Sequence, residues 1–272
     1  MNEQEVYEHQ ILLDATRYAK EAGALILGFM KKPLQIQEKK NKSDLVTEVD
    51  VLSELYLRDQ INRDYPDHWI LSEETDGAKE ESPYAWGKLA PGYGWIIDPI
   101  DGTTNFIHGI SHFAISIGIV KDGILVCGIV YNPVTADLYS ARKQGGAFFN
   151  GSPIQVAQEQ ELSEALLATG FQANDWHSNS VLVEQIRRMA GTSRNVRING
   201  AASLDLCWVA SGKLTGFWHD GLYPWDVAAG ILIVQEAGGV VTNGAGLAFD
   251  LSDQRLIASN LWIHNAFLSV LE

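Results

Sequence analysis

Trp95-Ile96-Ile97-Asp98-Pro99-Ile100-Asp101-Gly102-Thr103-Thr104-Asn105-Phe106 is the stretch around which the chain is organised. An apolar run climbs as a buried strand does and stops at a carboxylate. Proline then removes a backbone donor, a second carboxylate follows three residues after the first, and Gly-Thr-Thr-Asn opens a turn. Hard cations such as Mg²⁺ take several oxygens: carboxylates, a backbone carbonyl, water and substrate phosphate. Asp98, the carbonyl of Ile100 and Asp101 can offer three of these from one bend, and the N–H groups after Gly102 can receive a phosphate in a nest. The same residues also read as a plain strand end closed by an Asp-Gly turn. The rest of the chain has to separate the two.

Composition narrows the choice. With 272 residues, 46% of them hydrophobic, the chain can bury a large core in one domain or two packed halves. A net charge of −14 argues against a nucleic-acid partner, since no basic field gathers phosphates. A phosphate substrate in so acidic a protein would need metal to offset repulsion. Residues 1–20 lack a basic region and an apolar core, so no secretory signal is expected. The longest apolar stretches, Ala22–Met30 and Val227–Val234, fall short of the ~20 residues that span a bilayer. The two cysteines, Cys127 and Cys207, sit in apolar runs and make no disulfide framework, which points to a reducing, cytoplasmic setting.

Outward from the central stretch, residues 6–30 repeat apolar positions at helical spacing through Ile11, Ala15, Ala22 and Phe29, closed by Lys31-Lys32-Pro33. Ile36–Asn41 is a short basic strand or flap. A second helix follows Asp50 with Leu52, Leu55, Tyr56 and Ile61 as its apolar positions, and Thr47 or Asp50 as cap. Trp69–Glu74 is a strand ending in two acids, and Thr75–Gly92 a surface loop. Phe113–Val120 and Ile124–Tyr131 form a hairpin through Lys121-Asp122-Gly123, continued as a meander to Gly151. Residues 1–155 thus read as α+β, two helices and an antiparallel sheet. From 156 to 272 strands and helices alternate: strands at 165–169, 195–198, 214–218, 240–242 and 256–259, helices at 180–189, 202–210, 225–237 and 261–271. That is an α/β half, packed with the first as one body.

Four acidic clusters, far apart in sequence, each end an apolar element: Asp50, Glu73/Glu74, Asp98/Asp101 and Asp226. Each alone reads as a solvated acid or a helix cap. If they converge, mutual repulsion demands cations between them.

The segments Asp44-Leu45-Val46-Thr47-x-x-Asp50, Glu73-Glu74, Asp98-Pro99-Ile100-Asp101-Gly102-Thr103-Thr104-Asn105-Phe106, Trp225-Asp226-x-Ala228-Ala229-Gly230 and Glu236-Ala237-Gly238-Gly239 resemble, in order and spacing, the inositol monophosphatase family. The resemblance implies a layered α/β/α/β/α sandwich, of the inositol monophosphatase and fructose-bisphosphatase type, usually a homodimer. It implies two or three Mg²⁺ ions held by Glu73 (rather than Glu74), Asp98, the Ile100 carbonyl, Asp101 and Asp226. Asp50 with Thr103 would activate water. Gly102, Thr103 and Thr104 would meet the phosphate, and Gly200-Ala201-Ala202 would form a small-residue turn beside the substrate. The implied reaction is Mg²⁺-dependent, lithium-sensitive hydrolysis of inositol monophosphate or a similar small polyol phosphate. Rival readings are the same chemistry on a nucleotide 3′-phosphate, fructose 1,6-bisphosphate, histidinol phosphate or NADP, or a weak enzyme that works by binding a protein.

One position departs from the pattern. Seven residues before Asp226, where inositol-specific members carry a glutamate toward the ring hydroxyls, this chain has His219. Asp220 stands one residue along, a shift that in a strand turns the side chain to the other face.

Overall fold

The computed structural model describes residues 2–30, 32, 34–39, 45–77, 90–171 and 181–272. Helix α1 (Glu3–Leu27) leads to a ribbon of β1 (Ile36–Glu38) and β2 (Leu45–Thr47), then to α2 (Glu48–Asp64), β3 (Trp69–Ser72) and the short α3 (Glu73–Asp76). Next come β4 (Tyr93–Asp101), α4 (Thr103–Ile107), β5 (Ala114–Lys121), β6 (Ile124–Asn132), β7 (Asp137–Arg142), β8 (Gly146–Phe149) and β9 (Ser152–Pro153). The remainder holds β10 (Leu166–Thr169), α5 (Val181–Thr192), β11 (Asn195–Ile198), α6 (Ala202–Ala210), β12 (Gly216–Asp220), α7 (Pro224–Glu236), β13 (Val240–Thr242), β14 (Arg255–Ser259) and α8 (His264–Leu271). Asp44, Ser180 and most of the loop expected between Thr75 and Gly92 lie outside the described residues.

Strands β3 to β9 make one seven-stranded sheet in sequential order, and β11-β10-β12-β14-β13 a five-stranded one. The first is antiparallel except that β3 runs parallel to β4, which the sequence reading had not anticipated. Side-chain alternation sorts the core into layers. Trp95, Ile97, Ile115, Ile117 and Ile119 pack with Ile11, Tyr18, Ala22 and Ile26 of α1 and Leu57 of α2. Ala114 and Val130, from the opposite face, pack with α6 and α7. Phe217 and Ala258 of the second sheet close on those same helices, while Trp218 and Ile257 face α5 and α8. Five layers, α/β/α/β/α, result. Helix α7 approaches the first sheet closely because Gly118 and Gly128 present no side chain: a Cβ there would stand 2.6 Å from Ala228 Cβ or 2.7 Å from the Ala229 carbonyl oxygen.

Two local expectations need correction. Helix α1 stops at Leu27 with Gly28 as its cap, before the basic run. On α2, Leu52 and Leu55 are exposed, whereas Asp50, Ser53 and Glu54 are buried with Val49, Leu57 and Ile61. The helix turns a polar face inward, toward the end of β4.

Candidate active site

Pro99 interrupts the ladder, and the register of β4 against β5 slips there: Asp98 pairs with Ser116 but Asp101 with Ala114. The slip bends the strand end and brings both carboxylates to it. Asp98 is buried and accepts the Ile100 N–H at 3.0 Å. Asp101 accepts the Ser203 N–H at 2.7 Å, the Ser203 hydroxyl and, more weakly, the Ala202 N–H at 3.2 Å. It therefore caps α6 from another part of the chain, filling donors that the helix itself leaves open. Gly102 follows with φ 96°, a left-handed conformation open to glycine. A Cβ there would stand 3.1 Å from the carbonyl oxygens of Gly200 and His112 and 3.2 Å from Ala201 Cβ. Gly200 and Ala201 thus lie against the phosphate-turn candidate, and Thr104 is exposed at the start of α4.

Asp50 is fully buried at the first turn of α2. One of its oxygens takes the Thr47 N–H at 2.8 Å and the Thr47 hydroxyl at 2.5 Å, closing a capping box with Thr47 as cap. The other accepts the Thr103 hydroxyl at 2.9 Å, and that hydroxyl also lies 3.1 Å from the Ile100 carbonyl. Of the two cap candidates Thr47 is the cap, and Asp50, the third residue of the helix, closes the box while also being the candidate catalytic acid. Asp226 sits within α7, two residues past Pro224, rather than before the helix: Tyr223 is the cap, and Asp226 accepts its N–H at 2.8 Å. Glu73 and Glu74 open α3, and the Lys39 ammonium lies 2.8 Å from each carboxylate.

These acids repel. Burial, then the charges of Glu73, Asp101 and Asp226, hold the Asp98 carboxyl well above the usual range. Burial, then Glu73 and Asp101, does the same to Asp226. Burial raises Asp101 to about 6 against the bonds from Ser203, and raises Asp50 to about 6 against those from Thr47. Burial and then Glu73 raise Glu74 to about 8. Burial opposes the charge of Lys39, but Glu73 and Glu74 outweigh it and raise its pKa. Four separate segments therefore meet in one negative field, and such oxygens are the donor set of a hard divalent ion. The field is not a finished coordination shell: among the described residues no three acidic, histidine or cysteine groups share a ready metal-holding geometry.

Residues 7–271 match the model of the inositol monophosphatase family. The chain belongs to that family. It is 40% identical over 250 residues to the inositol-1-monophosphatase of Synechocystis sp., which covers 92% of this chain and 84% of that one. It is 37% identical over 265 residues to the Nus factor SuhB of Pseudomonas aeruginosa, covering 95% and 94%. The crystal structure of the extragenic suppressor protein suhB from Bartonella henselae superposes with a TM-score of 0.86 at 32% identity, covering 97% and 98%. Inositol monophosphatases are phosphatases, and this member is an enzyme of that class, a hydrolase.

In this inositol monophosphatase family member, His219 is buried at the end of β12. Its Nδ1 lies 2.8 Å from the Asp220 carbonyl, and a Cβ on Gly170 would stand 2.7 Å from its Nε2. A carbonyl only accepts, so Nδ1 carries a proton. Asp220 is held by Arg255 through two bonds, 2.6 and 2.9 Å. Of the two histidines past the phosphate turn, His112 lies 3.4 Å from Asp205 and His108 is exposed. Sequence reading missed Lys39, Ser203, Glu54 and Arg58. Only Glu54 left a signal, four residues after Asp50 and so on the same helix face.

Proposed function

We propose that the chain is a Mg²⁺-dependent phosphomonoesterase acting on inositol monophosphate or a similar small phosphorylated polyol. The observation that carries this reading is the convergence of Glu73, Asp98, Asp101 and Asp226 from three segments, α3, β4 and α7, into one negative field that favours a cation. Glu73, Asp98, the Ile100 carbonyl, Asp101 and Asp226 would hold two or three Mg²⁺ ions. When bound, such ions supply charge for the phosphate oxygens, acidity for the attacking water and stabilisation of the leaving alkoxide.

The chain's own residues do the rest. The Thr103 hydroxyl accepts a proton from the attacking water as it passes its own to Asp50, which faces it at 2.9 Å. The other Asp50 oxygen is held by the Thr47 N–H and hydroxyl, which fixes the carboxylate in place to receive that proton. Backbone donors at Gly102, Thr103 and Thr104 receive the phosphate, while Ala201, Ala202, Asp226 and His219 border the alcohol. The buried thiols Cys127 and Cys207 fit a cytoplasmic setting, and family resemblance supports a homodimer, which sedimentation would check. Among the described residues no helix is long and apolar enough to cross a membrane.

Phosphate release from a panel of inositol, nucleotide and sugar phosphates, with Mg²⁺ and then with EDTA, tests the reading. Turnover of the polyol phosphate that EDTA abolishes supports it; equal turnover in EDTA overturns it. The Nus factor name borne by a close relative favours a second reading, a role through a protein partner. A phosphatase-dead variant that keeps a cellular phenotype would support that role.

A further inference from the structure

Helix α2 carries Asp50, Ser53 and Glu54 on one buried face, and each reaches a different segment of the site. Asp50 meets Thr103, and the Ser53 hydroxyl donates to the Pro99 carbonyl at 3.3 Å, within the bend between Asp98 and Asp101. Glu54, 2% exposed, accepts the Glu74 N–H at 2.7 Å, the Thr75 N–H at 3.0 Å and the Thr75 hydroxyl. Those two N–H groups open α3, where no earlier carbonyl of that helix can satisfy them. The ordinary cap would be Ser72, but it makes no capping bond, and its hydroxyl instead receives Arg58 Nη1 at 2.6 Å. Arg58 lies 3.6 Å from Asp76 and 3.9 Å from Glu54, so one turn of α2 grips both ends of the α3 turn.

A carboxylate this deep loses its water and needs donors in exchange. What the structure obtains from it is two N–H groups held in one place, and with them the direction of the neighbouring Glu73 side chain. A four-residue helix has too few internal bonds to hold itself. We infer that Glu54 is a positioning residue that fixes the α3 turn and so sets the Glu73 carboxylate for metal. The inference rests on the metal-dependent reading above.

The test is Mg²⁺ titration by calorimetry on Glu54→Gln and Thr75→Val, beside amide exchange at Glu74 and Thr75 in EDTA. Outer partners of metal ligands are typically worth about 10–100-fold in affinity or activity. The Mg²⁺ Kd of Glu54→Gln should rise by about that factor, with faster exchange at both amides and KM at saturating Mg²⁺ little changed. Thr75→Val, which loses only the hydroxyl donor, should give a smaller rise, and it carries the test should Glu54→Gln not fold. Ser259→Ala, in a buried network remote from these contacts, controls for general destabilisation and should leave the Kd alone. A wild-type Kd in the folded variants, or an equal rise in Ser259→Ala, overturns the inference. Asp98→Asn in the same calorimeter separates the two claims. If it still binds Mg²⁺, the metal reading fails and this inference with it. If it loses Mg²⁺ while Glu54→Gln keeps it, only the positioning role falls.

Discussion

Two of the buried polar clusters in this molecule are resolved in opposite ways. Beneath α8, His264 Nδ1 lies 2.7 Å from the Ser259 hydroxyl and Nε2 lies 3.0 Å from that of Thr242. Ser259 donates onward to the Asn260 carbonyl at 3.0 Å, so the imidazole donates through Nδ1 and accepts through Nε2. Each bond there joins a donor to an acceptor with no net charge, and burial holds the His264 pKa low. At the end of β4 the acids have many bonds and still raise one another's pKa. Hydrogen bonding is therefore not what separates structure from site. Uncompensated charge is.

The strongest way to break that contrast is to remove one charge. Asp98→Asn should lower phosphatase activity by well over ~10²-fold, since even outer partners of a metal ligand are worth that much. In EDTA the same variant should melt higher than wild type, because it deletes one member of a repelling set. Near-wild-type turnover at saturating Mg²⁺, or a lower melting point in EDTA, would count against the cation site. Ser259→Ala should show the reverse pattern, with lower stability and unchanged turnover.

Thr103→Ala comes next. Its hydroxyl bridges Asp50 and the Ile100 carbonyl, and assistance to proton transfer is typically worth ~10²–10⁴-fold. The loss should appear in kcat with KM little changed. A raised KM at constant kcat would make Thr103 a phosphate contact only.

Asp98 and Asp101 were legible in the sequence because one short bend carries both, with a proline and a glycine to mark it. Asp50, Glu73 and Asp226 needed the family pattern, since a helix-cap reading competes with each, and Asp50 does close the capping box of Thr47. Lys39 and Ser203 were not legible. Nothing in a short basic strand says that its lysine will meet two glutamates, and the Ser203 contact depends on α6 arriving beside β4 from far along the chain. Leu52 and Leu55 misled the reading of α2: apolar periodicity marks the core-facing side only where that side faces an apolar core. Here the first turns face the site, and among the helix's buried residues only Val49, Leu57 and Ile61 reach the apolar core.

A smaller effect is expected at His219. With Asp220 held by Arg255, the side chain that stands at the position of the family's glutamate is the His219 imidazole. Bonds to a charged acceptor are worth ~1.5–3 kcal/mol. His219→Glu should raise kcat/KM on myo-inositol 1-phosphate, relative to β-glycerophosphate, by roughly ten- to a hundredfold. An unchanged ratio would remove His219 from the substrate's surroundings.

The smallest effect, a shift of a few degrees in melting temperature, sharpens the comparison by sign. Asp50 and Asp101 are each raised to about 6, above the ~3.9 of an unfolded aspartate. The folded metal-free protein therefore holds more protons than the unfolded chain between those values, and stability contributed by these groups is lost as pH rises through 6. His264 runs the other way. Its folded pKa is depressed, so its contribution is present above the unfolded ~6.5 and is lost as pH falls through the folded value. In EDTA, acidification from pH 7.5 to 5 should raise the melting temperature, because several raised carboxylates oppose two depressed histidines, His264 and the half-buried His68, and Asp98→Asn should flatten that rise. Saturating Mg²⁺ should reverse it, since a divalent ion binds the ionised carboxylates and competes with their protons. Melting curves at three pH values, in EDTA and in Mg²⁺, decide the matter. Parallel profiles in the two media would mean that no cation completes the cluster.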